Sequence, residues 1–171
     1  MTIKYVIGHW TAGRLLPSAY DKTCYQLLID GNGSVHSGEF PGRTSSTGGM
    51  NSITYNIACC GGLLMYPLTR KQIEKFYKIC AEKLKNFNLT PEDFYTHAEI
   101  GEMCRGQRLK LQGKPYDKAH KIITDIVPYN TYLYQNIGKI DLTRLPDLCG
   151  SAFDTGNFIR HKIKWYFQNY R

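Results

Sequence analysis

Two histidines close short apolar runs. His9 follows Tyr5-Val6-Ile7-Gly8, and His97 follows Phe94-Tyr95-Thr96. Strand ends in α/β proteins direct side chains into crevices where ligands bind. Two imidazoles there, joined by a carboxylate or a thiolate, would make a three-ligand zinc site with an open fourth position. Water at such a site titrates near neutrality and can attack a carbonyl. The spacing alone leaves two readings open. No short metal motif such as HExxH joins the pair, and a histidine at a strand end also serves as a hydrogen-bonded core residue. His36, His120 and His161 carry no comparable pattern.

The elements that must position these residues are partly legible. Ile3–Ile7 reads as a buried strand. Arg14–Lys22 reads as loop. Tyr25–Ile29 reads as a second strand, turned by Asp30-Gly31-Asn32-Gly33 into Ser34–Ser37, a strong hairpin signal. The Gly-, Ser- and Thr-rich stretch Phe40–Asn51 reads as a surface loop. Ser52–Cys60 returns to strand and breaks at Gly61-Gly62. Ile73, Phe76, Tyr77, Cys80, Ala81 and Leu84 recur at three and four residues, so a helix capped by Thr69 is predicted over about residues 70–87. Thr90-Pro91-Glu92-Asp93 reads as a cap and short turn. Tyr116–Val127 reads as a helix ending at Pro128, and Phe158–Tyr170 as a terminal helix. Strands alternating with helices predict a single α/β domain over residues 1–171, with a mixed central sheet flanked by helices.

Composition bounds the function classes. Hydrophobic residues make up 42% of the 171-residue chain, enough for one substantial core. No apolar run approaches the roughly 20 residues needed to span a bilayer. The segment MTIKYVIGHW does not read as a signal peptide, so synthesis in the cytoplasm is expected. The six cysteines, with no CxxC pair, read as buried free thiols rather than a disulfide framework. The net charge of +8 suits a polyanionic partner: nucleic acid, anionic lipid or a cell-wall polymer. Nucleic acid as the main role lacks support, because no zinc-finger spacing, RNA-binding aromatic motif or phosphate-binding glycine loop is present.

Read in order, five segments resemble the zinc-dependent N-acetylmuramoyl-L-alanine amidases of the phage lysozyme and peptidoglycan-recognition type. They are the strand leading into His9-Trp10-Thr11-Ala12-Gly13, the strand and turn Tyr25–Val35, Asn51-Ser52-Ile53 with Gly61-Gly62, Thr96-His97-Ala98-Glu99, and Lys139-Ile140-Asp141. The resemblance covers residues 3 to 100 well, plus a short piece near 139–146. It implies an amidase fold and a zinc ion held by His9, His97 and Asp141. It also implies two residues beside the metal, Tyr25 and Lys139. The gap between His97 and Asp141 exceeds the family's usual one, so residues 101–138 read as an insertion. Leu142-Thr143 stands where the family often has proline-glycine. Cys149 is an alternative third ligand, with Cys104 a weaker one, and Glu99 is a candidate base.

The activity implied is hydrolysis of the amide between N-acetylmuramic acid and L-alanine in bacterial peptidoglycan. The role implied is that of a phage endolysin, made in the host cytoplasm and acting on the wall in the periplasm or outside the membrane. It would depend on an accessory phage lysis protein for access to the wall. An interbacterial amidase toxin and a peptidoglycan-binding module without catalysis are the competing readings. The basic residues of the insertion, among them Arg105, Lys110 and Lys121, would attract wall carboxylates and phosphates.

Overall fold

A computed structural model describes residues 2–169. Five strands form one mixed sheet: β1 (Tyr5–Trp10), β2 (Leu27–Ile29), β3 (Val35–Ser37), β4 (Thr54–Cys59) and β5 (Phe94–Thr96), in the order β3-β2-β4-β1-β5. All neighbouring pairs are parallel except β2 and β3, which close the hairpin. Asp30 builds that turn by accepting from the N–H groups of Asn32 and Ser34, both at 2.9 Å. The mixed sheet flanked by helices is the architecture expected.

The sheet separates two cores. On one face Val6, Trp10, Tyr55 and Ile57 meet helix α2 (Arg70–Asn86) and helix α4 (Ala152–Asn169). Helix α2 starts where Thr69 and Gln72 form a capping box, and its apolar stripe of Ile73, Phe76, Cys80 and Leu84 is buried. On the other face Ile7 and Tyr95 pack with Met50, with Ile100 and Met103 of helix α3 (His97–Leu111), and with Ile123 and Leu133. Alternation along a strand sets this division. It sends Tyr55 and Ile57 to the first face, and Thr54, Asn56 and His9 to the second.

Gly8 shows why a glycine precedes His9. A Cβ there would stand 2.8–2.9 Å from Phe76, Phe94 and Leu142. The absence of that atom lets Leu142 bury completely against β1. Leu142 itself has φ +64°, a left-handed turn that a leucine rarely adopts. Its burial anchors the loop that presents Asp141.

Several expectations need correction. Strand β1 runs through His9 to Trp10 rather than ending at Ile7. Residues expected as loop before Tyr25 contain helix α1 (Ala19–Cys24), begun by a Ser18–Asp21 capping box. Tyr25 therefore caps that helix instead of starting a strand. The helix expected over Tyr116–Val127 is a 3-10 turn, Ile123–Asp125, because Asp125 folds back onto the N–H of Ile122. Helix α4 begins at Ala152 and not at Phe158, since Ser151 accepts from the N–H of Asp154. Tyr170, at the end of the expected helix, lies outside the described residues. Six cysteines are free, four of them buried, with Cys24 partly exposed and Cys149 exposed.

Candidate active site

His9 sits in β1, between β4 and β5, completely buried, on the second face of the sheet. The adjacent parallel strand β5 ends at Thr96, so His97 opens α3 beside it. Thr96 and Glu99 form the capping box that starts this helix at His97. The loop after a later 3-10 turn, Thr131–Asn136, then brings in Asp141. His9 Nδ1 lies 3.2 Å and His97 Nδ1 3.0 Å from the same atom, Asp141 Oδ2. The two imidazole centroids are 4.7 Å apart. These three side chains are the one cluster of potential metal ligands found among the described residues.

The opposite nitrogens are held by amides. His9 Nε2 is 3.0 Å from Asn56 Oδ1, and His97 Nε2 is 2.9 Å from Asn136 Oδ1. The orientation of each amide follows from its other partners. Asn136 Nδ2 donates to the carbonyls of Gly48 and Leu133, which can only accept, while its Oδ1 accepts from the N–H of Gly48. Asn56 Nδ2 donates to Thr54 Oγ1, whose own proton goes to the carbonyl of Met50. Its Oδ1 accepts from Thr47 Oγ1. Both amides therefore offer the histidines oxygen, and both Nε2 atoms carry the proton.

A neutral imidazole protonated at Nε2 has its lone pair at Nδ1. Two such lone pairs then face one carboxylate oxygen, an arrangement that needs a proton or a cation between them. The donor set of two imidazoles and a carboxylate is that of a catalytic zinc centre. Ligand atoms about 2.0–2.1 Å from a tetrahedral zinc stand about 3.3 Å apart, close to the observed contacts to Asp141. The donor types and the two contacts to Asp141 fit a zinc ion, with all three ligand atoms within 4.8 Å of one another. Burial pushes the Asp141 carboxyl up, but its contacts with His9 and His97 outweigh this and hold the group well below the usual carboxylate range. Burial moves His9 the other way, toward the neutral form, and Asp141 only partly opposes this.

Tyr25 is half-buried beside His9, with ring centroids 5.1 Å apart. Its hydroxyl donates toward the carbonyl of Trp10 at 3.4 Å. Burial and then the nearby Asp141 push its pKa far up, so the phenol stays protonated. Lys139 is exposed and lines a cavity of about 330 Å³ together with His97. Glu99 lies elsewhere. Its carboxylate takes both guanidinium nitrogens of Arg160, at 3.0 and 2.7 Å, as well as the N–H of Thr96. Burial raises its pKa, opposed by Arg160. Cys149 is exposed in a β-bridge with Arg144, outside the ligand cluster. Cys104 is buried on α3.

Sequence reasoning missed Asn56, Asn136 and helix α3. The Thr96-x-x-Glu99 capping box was a local signal for the helix. Neither asparagine had one, because an asparagine in a strand or a loop has no pattern that marks its partner.

A family model described as N-acetylmuramoyl-L-alanine amidase matches residues 1–108. That stretch contains His9, Tyr25 and His97, while Lys139 and Asp141 follow it. Among solved structures, the hydrolase AmiA of Staphylococcus aureus aligns over 97% of this chain and 73% of its own, with a TM-score of 0.53 and 12% identity. This likeness is one of fold. The amidase LysC of Clostridium intestinale aligns over 56% of this chain and 70% of its own, with a TM-score of 0.48 and 16% identity. The Drosophila peptidoglycan recognition protein SA aligns over 55% and 65%, with a TM-score of 0.44 and 19% identity. No curated protein matches the chain by sequence.

Proposed function

The chain belongs to the N-acetylmuramoyl-L-alanine amidase family, and on that premise we propose that His9, His97 and Asp141 hold a zinc ion for hydrolysis of the amide between N-acetylmuramic acid and L-alanine in bacterial peptidoglycan. The observation that carries this reading is the convergence of both Nδ1 atoms on Asp141 Oδ2, with each Nε2 atom at hydrogen-bond distance from an asparagine oxygen. Zinc bound there supplies Lewis acidity toward the scissile carbonyl and lowers the pKa of water toward neutrality.

The protein's own groups do the rest. A water oxygen bonds to the lactyl carbonyl carbon, the carbon–nitrogen bond breaks, and the protons the water gives up pass to the leaving amine of L-alanine, leaving a lactyl carboxylate. The Lys139 ammonium, exposed at the wall of the cavity it shares with His97, meets the negative charge that develops on the carbonyl oxygen. The protonated Tyr25 hydroxyl, beside His9, acts as a donor and not as a base. Asn56 and Asn136 keep both imidazoles in the ligating tautomer. Glu99 is given no proton-transfer step, because both of its oxygens are bonded to Arg160. Asn136 comes from residues 101–138, which we read as an insertion.

The biological setting we propose is lysis of a host cell by a phage, with an accessory lysis protein giving access to the wall. The net charge of +8 would hold the enzyme on the anionic wall.

Elemental analysis of purified protein, never exposed to chelator, tests the metal assignment. Wild type and Cys149→Ala should each carry about one zinc per chain, the stoichiometry of a mononuclear catalytic site. Folded Asp141→Ala should lose it, along with release of new L-alanine amino termini from purified peptidoglycan. Loss confined to Cys149→Ala would move the third ligand. No zinc in folded wild type would leave a wall-binding module without catalysis.

A further inference from the structure

Two cavities meet at Lys139. The smaller, about 330 Å³, is the one shared with His97. Its walls are hydroxyls, amides and glycine backbone, including Ser45, Asn51, Gln135 and Gly48. Lys139 is its one lysine or arginine, and no carboxylate lines it, among the described residues. The larger, about 820 Å³, lies between α3 and the start of α4. It is ionic, with Arg105, Lys121, Glu102 and Asp117 around the apolar Ile122 and Phe153. The smaller volume lies within the range of small-molecule sites and the larger near its upper end.

Tyr132 stands at the smaller cavity with 63% of its surface exposed. Its backbone is held in place: the N–H donates to Asn130 Oδ1, and its carbonyl packs at Gly48, where a Cβ would come within 2.8 Å. Among the described residues, no hydrogen bond or ring contact engages its side chain. A fixed backbone therefore presents a free aromatic face over a neutral, hydrogen-bonding floor. That arrangement suits a pyranose ring, which has apolar C–H faces and an equatorial edge of hydroxyl and N-acetyl groups.

The larger cavity has the opposite chemistry. Arg105 is paired with Glu102 and His120 with Asp117. Lys121 donates to the Tyr95 hydroxyl at 3.2 Å and meets no carboxylate among the described residues. An anionic peptide would supply that partner.

The substrate of the proposed reaction is unsymmetric in the same way, with a neutral sugar on one side of the scissile amide and a carboxylate-bearing peptide on the other. We infer that the sugar seats against Tyr132 in the smaller cavity and the peptide stem runs into the larger one beside Lys121, with the amide between them at Lys139. This orientation rests on the amidase reading. The residues that set it (Tyr132, Gln135 and Lys121) all lie beyond the stretch matched by the family model.

Calorimetric titration of the zinc-loaded full chain tests it with two probes. One is the peptide-free disaccharide of N-acetylglucosamine and N-acetylmuramic acid, and the other is the free peptide L-alanyl-γ-D-glutamyl-L-lysine. Tyr132→Ala should weaken the disaccharide about tenfold and the peptide less than about twofold, the loss expected when a central aromatic contact is truncated. Tyr132→Phe should retain disaccharide binding. Lys121→Ala should weaken the peptide and spare the disaccharide. Reversed effects, unchanged disaccharide binding in Tyr132→Ala, or a wild type that binds neither probe would overturn the orientation. Zinc content and cleavage by wild type are read separately. A chain that holds zinc and cleaves, yet fails these titrations, refutes the orientation alone.

Discussion

Replacing Asn136 with alanine separates the two things this residue does. Its carboxamide makes four hydrogen bonds: Oδ1 to His97 Nε2 at 2.9 Å and to the N–H of Gly48 at 3.0 Å, Nδ2 to the carbonyls of Gly48 and Leu133 at 2.9 and 2.7 Å. At about 1 kcal/mol net for each bond, with some groups regaining water, unfolding free energy should fall by about 3 kcal/mol. Zinc affinity should fall independently. Without the oxygen of Asn136, His97 can move its proton to Nδ1 and donate it to Asp141, so zinc must first displace a proton. Outer partners of this kind are worth about 10–100-fold in metal affinity, or about 1.4–2.8 kcal/mol. Asn136→Asp makes the control. It keeps an acceptor on His97 Nε2 but sets an oxygen against the carbonyls of Gly48 and Leu133. Chemical denaturation of the metal-free proteins should rank wild type above alanine, and alanine level with or above aspartate. Competition with a chromophoric chelator should rank zinc affinity differently, with aspartate near wild type and alanine well below. Zinc affinities that track stability across all three proteins would refute the tautomer argument.

Three further outcomes follow from other contacts. Arg160→Ala strands the buried Glu99 carboxylate and should lower unfolding free energy by about 3–5 kcal/mol in denaturant titrations; a loss below 1 kcal/mol would mean the pair is no more than a surface bridge. For Asp30, burial raises the pKa, but His36 and the N–H groups of Ser34 and Asn32 more than reverse this, so it titrates below an ordinary aspartate. Its contribution is complete above about pH 3.9 and disappears as pH falls through the folded value. Asp30→Ala should therefore cost about 2 kcal/mol at neutral pH and progressively less in acid, read as melting curves against pH. Cys149 is exposed while Cys59 and Cys80 are buried, with burial raising their thiol pKa values. A thiol reagent followed by peptide mass spectrometry should label Cys149 in native protein, and Cys59 and Cys80 only after unfolding.

Local signals in the chain were read correctly where the structure depends on neighbours. The stripe from Ile73 to Leu84 announced α2 within a residue of its ends, because burial of one helical face repeats every three to four positions. The Asp30–Gly33 turn announced the hairpin. The expected helix over Tyr116–Val127 fails because a few apolar side chains at helical spacing do not reveal that Asp125 will cap its own turn. Helix α1 was overlooked because it is short and has no buried residue, leaving only its capping box as a signal. Glu99, the candidate base, stands two residues past His97, but the strand ends at Thr96, and a helical turn carries its carboxylate toward Arg160 on α4.

By itself the sequence determined the types of group available for chemistry and the short elements that carry them: an imidazole at the end of each of two short apolar strands, and an aspartate in a loop. Their order along the chain was enough for the resemblance to an amidase. Tertiary structure alone decided that the three converge. Parallel pairing places β5 beside β1, the missing Cβ of Gly8 admits Leu142, and that anchor brings Asp141 to both Nδ1 atoms. It also decided the tautomers, through Asn56 and Asn136. A hydrogen bond between residues 39 or 47 positions apart leaves no periodicity in the sequence, since it depends on where folding puts each partner and not on the residues beside it.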